Sequence, residues 1–255
     1  MRVWPEGTAR RLEVVRELAL ADFRLKYHDS ALGYAWSMLS PLLMLVIYYL
    51  VFRYIIGVSV PGYVVYLLVG IVYWTFFQDC SFSGLTALEG KAMVLKAVRV
   101  PAGVVVAAGA VSTVITLVIN SGVLVVALLA MGRLSRLAPL ALLPLCCLVL
   151  LGMGTSFLVA LAWVRFRDTG LIWGVLLQAC FWLTPVVYVV DSPRFAELVY
   201  LNPLARCLYL IRWFLVYDYL PAWRFTGLTV LSCVVPFALG LLLLLRRQDR
   251  IPELL

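Results

Sequence analysis

The chain has 255 residues, of which 64% are hydrophobic and only 13% are charged, with a mean hydropathy of +1.02 and a formal net charge of +8. A water-soluble domain of this size cannot bury so much apolar surface, so the composition excludes a soluble enzyme or binding domain and indicates a protein embedded in lipid. The positive charge requires no nucleic-acid partner, because attraction to anionic lipid headgroups explains it.

The first predicted element is an amphipathic helix at residues 10–27, inside a cytoplasmic segment that we place at residues 1–31. Its apolar side includes Leu18 and Phe23, and its other side includes Glu13 and Glu17. A helix too charged to insert and too apolar to stay in water is expected to lie in the headgroup plane. An ordinary soluble helix on the same side of the membrane is the alternative.

Six apolar runs follow, each close to the roughly 20 residues that a helix needs to cross a bilayer. They lie at residues 36–56, 63–82, 104–131, 140–164, 171–190 and 225–245. The runs are continuous and lack the two-residue alternation of barrel strands. We therefore predict an all-α integral membrane protein with about six transmembrane helices, built as a single transmembrane bundle over residues 32–250.

The distribution of lysine and arginine predicts the orientation of these spans. If the N-terminus is inside, 14 of the 21 cationic residues, including all three lysines, lie on the cytoplasmic side. Cytoplasmic loops keep the excess of positive charge, so both termini are predicted to be cytoplasmic.

The longest predicted cytoplasmic loop covers residues 83–103. Its charged residues include Glu89, Lys91, Lys96 and Arg99. The glycines in this loop do not have the spacing of a phosphate-binding loop, and Ala92 stands where such a loop needs serine or threonine. We therefore expect no nucleotide binding by this chain.

The fifth apolar run contains Thr184 followed by Pro185 near its middle, where proline should bend or split the helix. Non-helical backbone at that depth must face protein or a water-filled cavity. The next segment, residues 191–223, is predicted to form an external hairpin of short re-entrant helices bounded by prolines, with Arg206, Arg212 and Asp218 in water.

Catalytic and metal-binding patterns are scarce. The single histidine, His28, stands beside Asp29, and the six cysteines lack CxxC spacing. Charges deep inside spans, which mark ion-coupled carriers, are almost missing, because Arg53 and Asp79 fall near predicted span ends. We predict no catalytic residue, no metal site and no cofactor in this chain, with energy supplied by another subunit.

Aromatic residues are concentrated in the first and fifth spans. They are Trp36, Tyr48, Tyr49, Phe52, Trp173, Phe181, Trp182 and Tyr188. One interpretation is that they form interfacial belts and lipid-facing packing. The other is that their flat rings line a shared pathway along which sugar rings slide.

Three groups of residues resemble a known family. The first is the run from Asp22 to Tyr27 followed by Ser30, Gly33, Trp36 and Pro41. The second is Arg165, Phe166, Arg167 and Asp168 followed by Gln178, Phe181, Trp182, Thr184, Pro185 and Tyr188. The third is Asn202, Pro203, Leu204 and Arg212. Together they resemble the membrane subunit of ABC exporters of lipid-linked cell-surface polysaccharides, such as O-antigen, capsule or teichoic acid.

The resemblance implies a multi-pass permease of the bacterial inner membrane that works as two copies with two ATP-binding cassette subunits, which hold ATP and magnesium. Its cargo would be a polyprenyl-diphosphate-linked glycan, and the eight aromatic residues above would line the channel. The implied contacts with the ATP-binding subunit are Arg24, Lys26, Glu89, Lys91, Lys96, Arg99, Arg165, Arg167 and Asp168. The implied external gate includes Asn202, Pro203 and Arg212.

Two alternatives remain open at this point. An ABC permease for drugs or other lipids would share the topology without requiring aromatic residues along its path. An integral-membrane transferase or hydrolase would use His28 with Asp29 as its catalytic pair.

Overall fold

The computed structural model describes residues 8–26, 32–91, 101–190, 192–247 and 251, and within these residues all regular structure is helical. The helices are α1 (Thr8–Leu25), α2 (Trp36–Leu50), α3 (Tyr63–Gly90), α4 (Ala102–Ala130), α5 (Leu142–Arg165), α6 (Thr169–Leu183), α7 (Pro193–Val199), α8 (Pro203–Arg212) and α9 (Trp223–Arg247). Short 3₁₀ turns, Gly33–Ala35 and Ala138–Ala141, precede α2 and α5, and π-helical turns, Val51–Ile55 and Trp213–Tyr217, extend α2 and α8.

Five helical stretches of the described chain are long and apolar enough to cross a membrane. They are Gly33–Ile55, Tyr63–Gly90, Ala102–Ala130, Ala138–Arg165 and Trp223–Arg247. The predicted all-α membrane fold is confirmed. The fifth predicted span, at residues 171–190, is different, because its helix, α6, covers only Thr169–Leu183.

Helix α3 forms the centre of the bundle and is buried along most of its length. Helices α2, α4 and α5 pack around it, and α9 packs on α5. The contact between α5 and α9 is close because glycine stands at the crossing: a Cβ on Gly154 would lie 2.6 Å from the Cα of Phe237, and one on Gly240 would lie 2.7 Å from the Gly154 carbonyl oxygen. Small residues at such crossings let helix backbones approach closely in membranes.

The predicted loop at residues 83–103 begins later than expected, since α3 continues to Gly90. The extra turns carry small polar residues that are buried against α4 and α5, where the Ser83 hydroxyl lies 3.2 Å from that of Ser156. The prediction from hydropathy alone therefore ends this span too early. As a consequence, Asp79 lies in the interior of α3 and not near its end.

The amphipathic helix α1 packs its apolar side on the bundle, chiefly on α4. Ala19 is buried, and Val14, Val15 and Leu18 pack against a core cluster that includes Val105. The predicted apolar face is therefore real, and a large part of it is covered by protein.

Helices α2 and α6 each present an apolar face that the rest of the described chain leaves uncovered. On α2 this face includes Leu43 and Ile47, whose side chains are about half exposed. On α6 it includes Leu171 and Val175, whose side chains are more than half exposed. Continuous apolar faces of this kind are typical of helices that contact lipid or another membrane chain.

Candidate functional site: an aromatic groove beside a broken helix

A groove of about 630 Å³ lies between α2, α3 and α6. Five aromatic rings line it, namely Tyr48, Trp74, Phe82, Phe181 and Trp182. Five hydrophilic side chains line it as well, namely Ser40, Thr75, Gln78, Asp79 and Gln178. We call this cavity the aromatic groove.

Phe181 lies at the centre of the ring cluster. Its ring centroid is 5.6 Å from that of Tyr48, 5.2 Å from that of Trp74 and 5.4 Å from that of Trp182. Trp182 is 54% exposed, so the cluster presents a ring surface to the open groove. The Trp74 indole Nε1 donates to Gln78 Oε1 at 3.1 Å, which fixes a polar edge beside the rings. Aromatic faces flanked by amide groups are suited to ligands with both apolar and hydroxyl surfaces.

Three of the eight predicted channel aromatics line the aromatic groove, namely Tyr48, Phe181 and Trp182. Tyr49 packs at 6.3 Å on Tyr54 and lines a separate cavity of about 330 Å³. Phe52, in the π-helical turn after α2, is 7% exposed and belongs to the hydrophobic core.

The other three predicted channel aromatics lie near the groove but do not line it. Trp36 is 41% exposed at the first residue of α2. The Trp173 Nε1 donates to Ser81 Oγ at 3.1 Å, and the Tyr188 hydroxyl donates to the Trp182 carbonyl oxygen at 3.0 Å. The sequence reasoning missed Trp74 and Gln78, although their spacing of four residues places them on one side of α3.

Helix α6 breaks where the sequence predicts, at Thr184 and Pro185. Residues 184–188, which we call the break segment, are non-helical, and the side chains from Thr184 to Val187 are buried. The prediction that the fifth span reaches residue 190 is therefore wrong. The prediction that non-helical backbone at this point faces protein is confirmed, since the segment packs against the first turns of α3.

Two of the three predicted gate residues, Asn202 and Arg212, contact the break segment from the two ends of α8. Asn202 caps α8 by accepting from the Leu204 N–H at 3.0 Å, and its Nδ2 donates to Thr184 Oγ1 at 2.8 Å. Pro203 occupies the first turn of α8, where its missing N–H has no cost.

Arg212 is not in water, contrary to the prediction. It is 1% exposed and is the largest fully buried side chain of the described residues. Arg206, on the same helix, is half-buried, and its Nε has no hydrogen-bond partner. The sequence of short helices bounded by prolines does not indicate which face of each helix is buried. Arg206, Arg212 and Asp218 were therefore all predicted to lie in water.

Asp218 is exposed, as predicted, and ties the end of α8 to the turn after α4. Its carboxylate accepts from Ser135 Oγ at 2.6 Å and from the Leu137 N–H at 3.3 Å. The Ser135 hydroxyl, followed by that backbone N–H and nearby Arg136, holds the pKa of Asp218 below its usual value.

At the opposite end of the bundle, a cavity of about 430 Å³ lies between α1, α3 and α4. Two ion pairs line it: Lys26 Nζ lies 2.8 Å from Asp79 Oδ2, and Lys91 Nζ lies 2.6 Å from Asp22 Oδ2. We call this cavity the charged cleft. Asp79 and Phe82 line both the charged cleft and the aromatic groove, so the two cavities share a wall.

The other residues predicted to contact an ATP-binding subunit are mostly at the surface of this same end. Arg24, Glu89, Arg165, Arg167 and Asp168 are exposed, and the Arg167 guanidinium lies 4.2 Å from the centroid of the Trp163 ring. Lys96 and Arg99, together with His28 and Asp29 of the enzyme alternative, lie outside the described residues.

Among the residues that the structure describes, no three histidine, cysteine or acidic side chains come together as metal ligands. Four of the six cysteines are buried, which is how small apolar side chains behave.

Comparisons with known proteins agree with this architecture. Two proteins of Klebsiella pneumoniae named O-antigen export system permease protein RfbA are similar: one is 27% identical over 81% of this chain and 83% of its own length, and the other is 26% identical over 72% and 73%. A protein of the same name from Myxococcus xanthus is 26% identical over 73% of this chain and 74% of its own length. A family model described as ABC-2 type transporter matches residues 13–216, from α1 to the end of the helical turns that follow α8. Because that match takes in most of the chain and the fold is a multi-pass helical bundle, the chain belongs to the ABC-2 type transporter family as a membrane-spanning permease.

Proposed function

We propose that this chain is the permease subunit of an ATP-driven exporter that moves a lipid-linked polysaccharide, such as O-antigen, capsule or a teichoic-acid-like polymer, across the bacterial cytoplasmic membrane. Membership of the ABC-2 family implies an ATP-binding cassette partner. In this proposal two copies of the chain work with two such partners, which bind ATP and magnesium. The names of the three relatives support the choice of cargo.

The aromatic groove is the observation that carries the proposal. A sugar ring has apolar faces and a hydroxyl edge, and the groove offers both matching surfaces, with Phe181 and Trp182 beside Gln78 and Gln178. The rings supply flat contact surface without a deep charged well, so successive sugars bind weakly and move on. A pathway for ions would require charged groups along its length, whereas Asp79 already pairs with Lys26.

The shape of the groove supports a second copy of the chain. A volume of about 630 Å³ suits one ligand of drug size, not a polymer. The groove lies beside the uncovered apolar faces of α2 and α6. A second copy seated against these faces would turn two open grooves into one enclosed passage.

The orientation in this proposal follows the charge distribution. With both termini in the cytoplasm, the charged cleft and the exposed residues Arg24, Glu89 and Asp168 face the ATP-binding subunits. The break segment and α8 then lie at the exit.

The first experiment replaces the groove rings with leucine in the full chain, co-produced with its ATP-binding partner in cells that lack the native gene. We expect Trp182→Leu and Phe181→Leu each to lower surface glycan by about tenfold, the amount that corresponds to one lost ring contact near 1.4 kcal/mol. Surface glycan is measured with an antibody, and assembly is checked by co-purification of the partner.

Trp223 provides a matched control, because it is a tryptophan of the same chain that is 79% exposed and lies outside the groove. Trp223→Leu should leave glycan export unchanged. Normal glycan export by the Trp182→Leu, Phe181→Leu double variant would refute the proposal and favour a permease for drugs or other lipids.

A further inference from the structure

Four of the five backbone carbonyls of the break segment accept from three side chains, and the fifth, that of Thr184, accepts from the Val186 N–H. The Pro185 oxygen accepts from Arg212 Nη1 at 2.7 Å and from the Tyr66 hydroxyl at 3.0 Å. The Val186 oxygen accepts from Arg212 Nη2 at 3.1 Å. The Val187 oxygen accepts from the Tyr63 hydroxyl, and the Tyr188 oxygen lies 2.8 Å from the Tyr66 hydroxyl, whose single proton the Pro185 and Tyr188 oxygens share. We call Tyr63, Tyr66 and Arg212 the carbonyl seat.

These bonds provide hydrogen-bond partners for carbonyl groups at the point where a helix ends inside a membrane protein. The end of a helix leaves carbonyl groups without partners, and a buried carbonyl without a partner is costly. The carbonyl seat supplies donors from α3 and α8 at the point where α6 ends.

Arg212 is an unusual donor because its charge is buried without a carboxylate partner among the described residues. Its Nη2 also donates to the Tyr66 carbonyl oxygen at 3.1 Å, and its guanidinium carbon lies 3.4 Å from the centroid of the Tyr66 ring. The charge is therefore balanced by three carbonyl dipoles and one ring face. An apolar residue would fill the same space at lower cost if only stability were required, so the guanidinium is better explained by the geometry that it fixes.

Gly70 lets the break segment come close enough for these bonds. A Cβ at this position would lie 2.5 Å from Arg212 Nη2 and 2.6 Å from the Val186 carbonyl oxygen. Asn202 adds a second tie from α8 through its bond to Thr184 Oγ1. The break segment is thus held on two sides.

The break segment begins two residues after Trp182, and the Tyr188 hydroxyl donates to the Trp182 carbonyl oxygen. We infer that Arg212 is a positioning residue: with Tyr63 and Tyr66 it fixes the break segment on α3 and thereby sets the place of Phe181 and Trp182 in the aromatic groove. The inference rests on the proposed function in one respect, namely that these two rings contact the exported glycan.

The test uses the purified complex of the full chain with its ATP-binding partner, together with the export assay in cells. In Arg212→Gln, hydrogen exchange of the amides at residues 182–190 should become about tenfold faster, while exchange over residues 147–157 of α5 stays unchanged, and glycan export should fall by about the same factor. Arg212→Lys should behave like Arg212→Gln, because a compact ammonium cannot serve carbonyls in the fixed planar arrangement of a guanidinium.

Arg206→Gln is the matched control, since Arg206 lies on the same helix and is only half-buried, and the break-segment carbonyls accept from Arg212 and the two tyrosines instead. It should change neither readout. If Arg212→Gln fails to assemble, Tyr66→Phe decides, because it removes the bonds to Pro185 and Tyr188 and keeps the ring. It should speed exchange at the same amides.

Unchanged exchange at residues 182–190 in both Arg212→Gln and Tyr66→Phe would overturn the inference, as would full recovery of both readouts in Arg212→Lys. Faster exchange with normal export would overturn the positioning role. The proposed function is tested separately, by the Trp182→Leu and Phe181→Leu variants. Normal glycan export by those variants would refute the proposed function without affecting what hydrogen exchange shows about Arg212.

Discussion

Gly70 lies on α3 where the Val186 carbonyl of the break segment packs against this helix. The Val186 carbonyl oxygen on the far side belongs to a backbone held by Arg212, so it cannot yield as a flexible side chain would. We expect Gly70→Ala to destabilise the complex by about 1–3 kcal/mol, the usual cost of an atom added to a packed site. The measurement is the midpoint of thermal aggregation of the purified complex.

Gly122→Ala is the control for that substitution. A Cβ at Gly122 meets nothing within 4 Å, and Gly122 lies in the middle of α4. Alanine in a helix interior is favoured over glycine by about 0.5–1 kcal/mol, so this variant should be as stable as the parent or slightly more stable. Equal midpoints for Gly70→Ala and the parent chain would show that the close approach at Gly70 is not required.

At the scale of single residues, the sequence predicted the role of a side chain better than its position in the fold. The aromatic residues Phe181 and Trp182 were predicted to face a pathway, and they line a groove. Arg212 was predicted in water and is buried. Its partner Tyr66 is 146 positions away in the chain, and a pairing at that distance leaves no local pattern to read.

At the scale of elements, α1 and α3 are joined by the two ion pairs of the charged cleft. The Lys91–Asp22 pair is the less exposed, with side chains 21% and 20% accessible. If α1 relays the motion of an ATP-binding subunit to the groove wall at Asp79, reversal of one charge should weaken the relay. We expect Lys91→Glu to lower glycan export several-fold, and Asp22→Lys combined with Lys91→Glu to restore most of it.

Arg16→Glu is the matched control for the charge exchange, because Arg16 lies on α1 like Asp22, is 71% exposed and, among the described residues, forms its ion pair with its neighbour Glu17. It should export normally, as exposed pairs contribute little. The relay would be refuted if the double variant were no better than Lys91→Glu while the partner still co-purified.

The bounds of a helix were predictable where the apolar run in the sequence and the helix in the structure have the same length. The first span and the last were placed within a few residues of α2 with its flanking turns and of α9. The second was ended too early, because the buried serine at position 83 lowers hydropathy while it bonds Ser156. The fifth was carried too far, because the apolar residues after Pro185 are buried by tertiary contacts and not by a continued helix.

At the scale of the whole molecule, the remaining expectation is its direction in the membrane. Arg247 at the end of α9 and Ala222 just before α9 are both exposed and lie at opposite ends of a helix that is long enough to span. In spheroplasts, a membrane-impermeant maleimide should label Ala222→Cys directly and Arg247→Cys only after permeabilisation, because the excess of Lys and Arg keeps the α1 end inside. The parent chain, with its own six cysteines, sets the background.

The opposite labelling pattern would place the charged cleft outside the cell. It would also remove the physical basis for contact between α1 and a cytoplasmic ATP-binding subunit.

The shortness of α6 has a consequence for the membrane around it. Fifteen residues of helix rise only about 22 Å, against a hydrocarbon layer about 30 Å thick. Over the missing stretch the chain continues as the break segment, whose peptide groups lie with the Tyr63 and Tyr66 hydroxyls and the Arg212 guanidinium inside the bundle, away from lipid. A hydrophilic polymer that travels along α6 would therefore meet an apolar helical wall over only about three quarters of the hydrocarbon depth before it reaches the buried polar groups of the break segment.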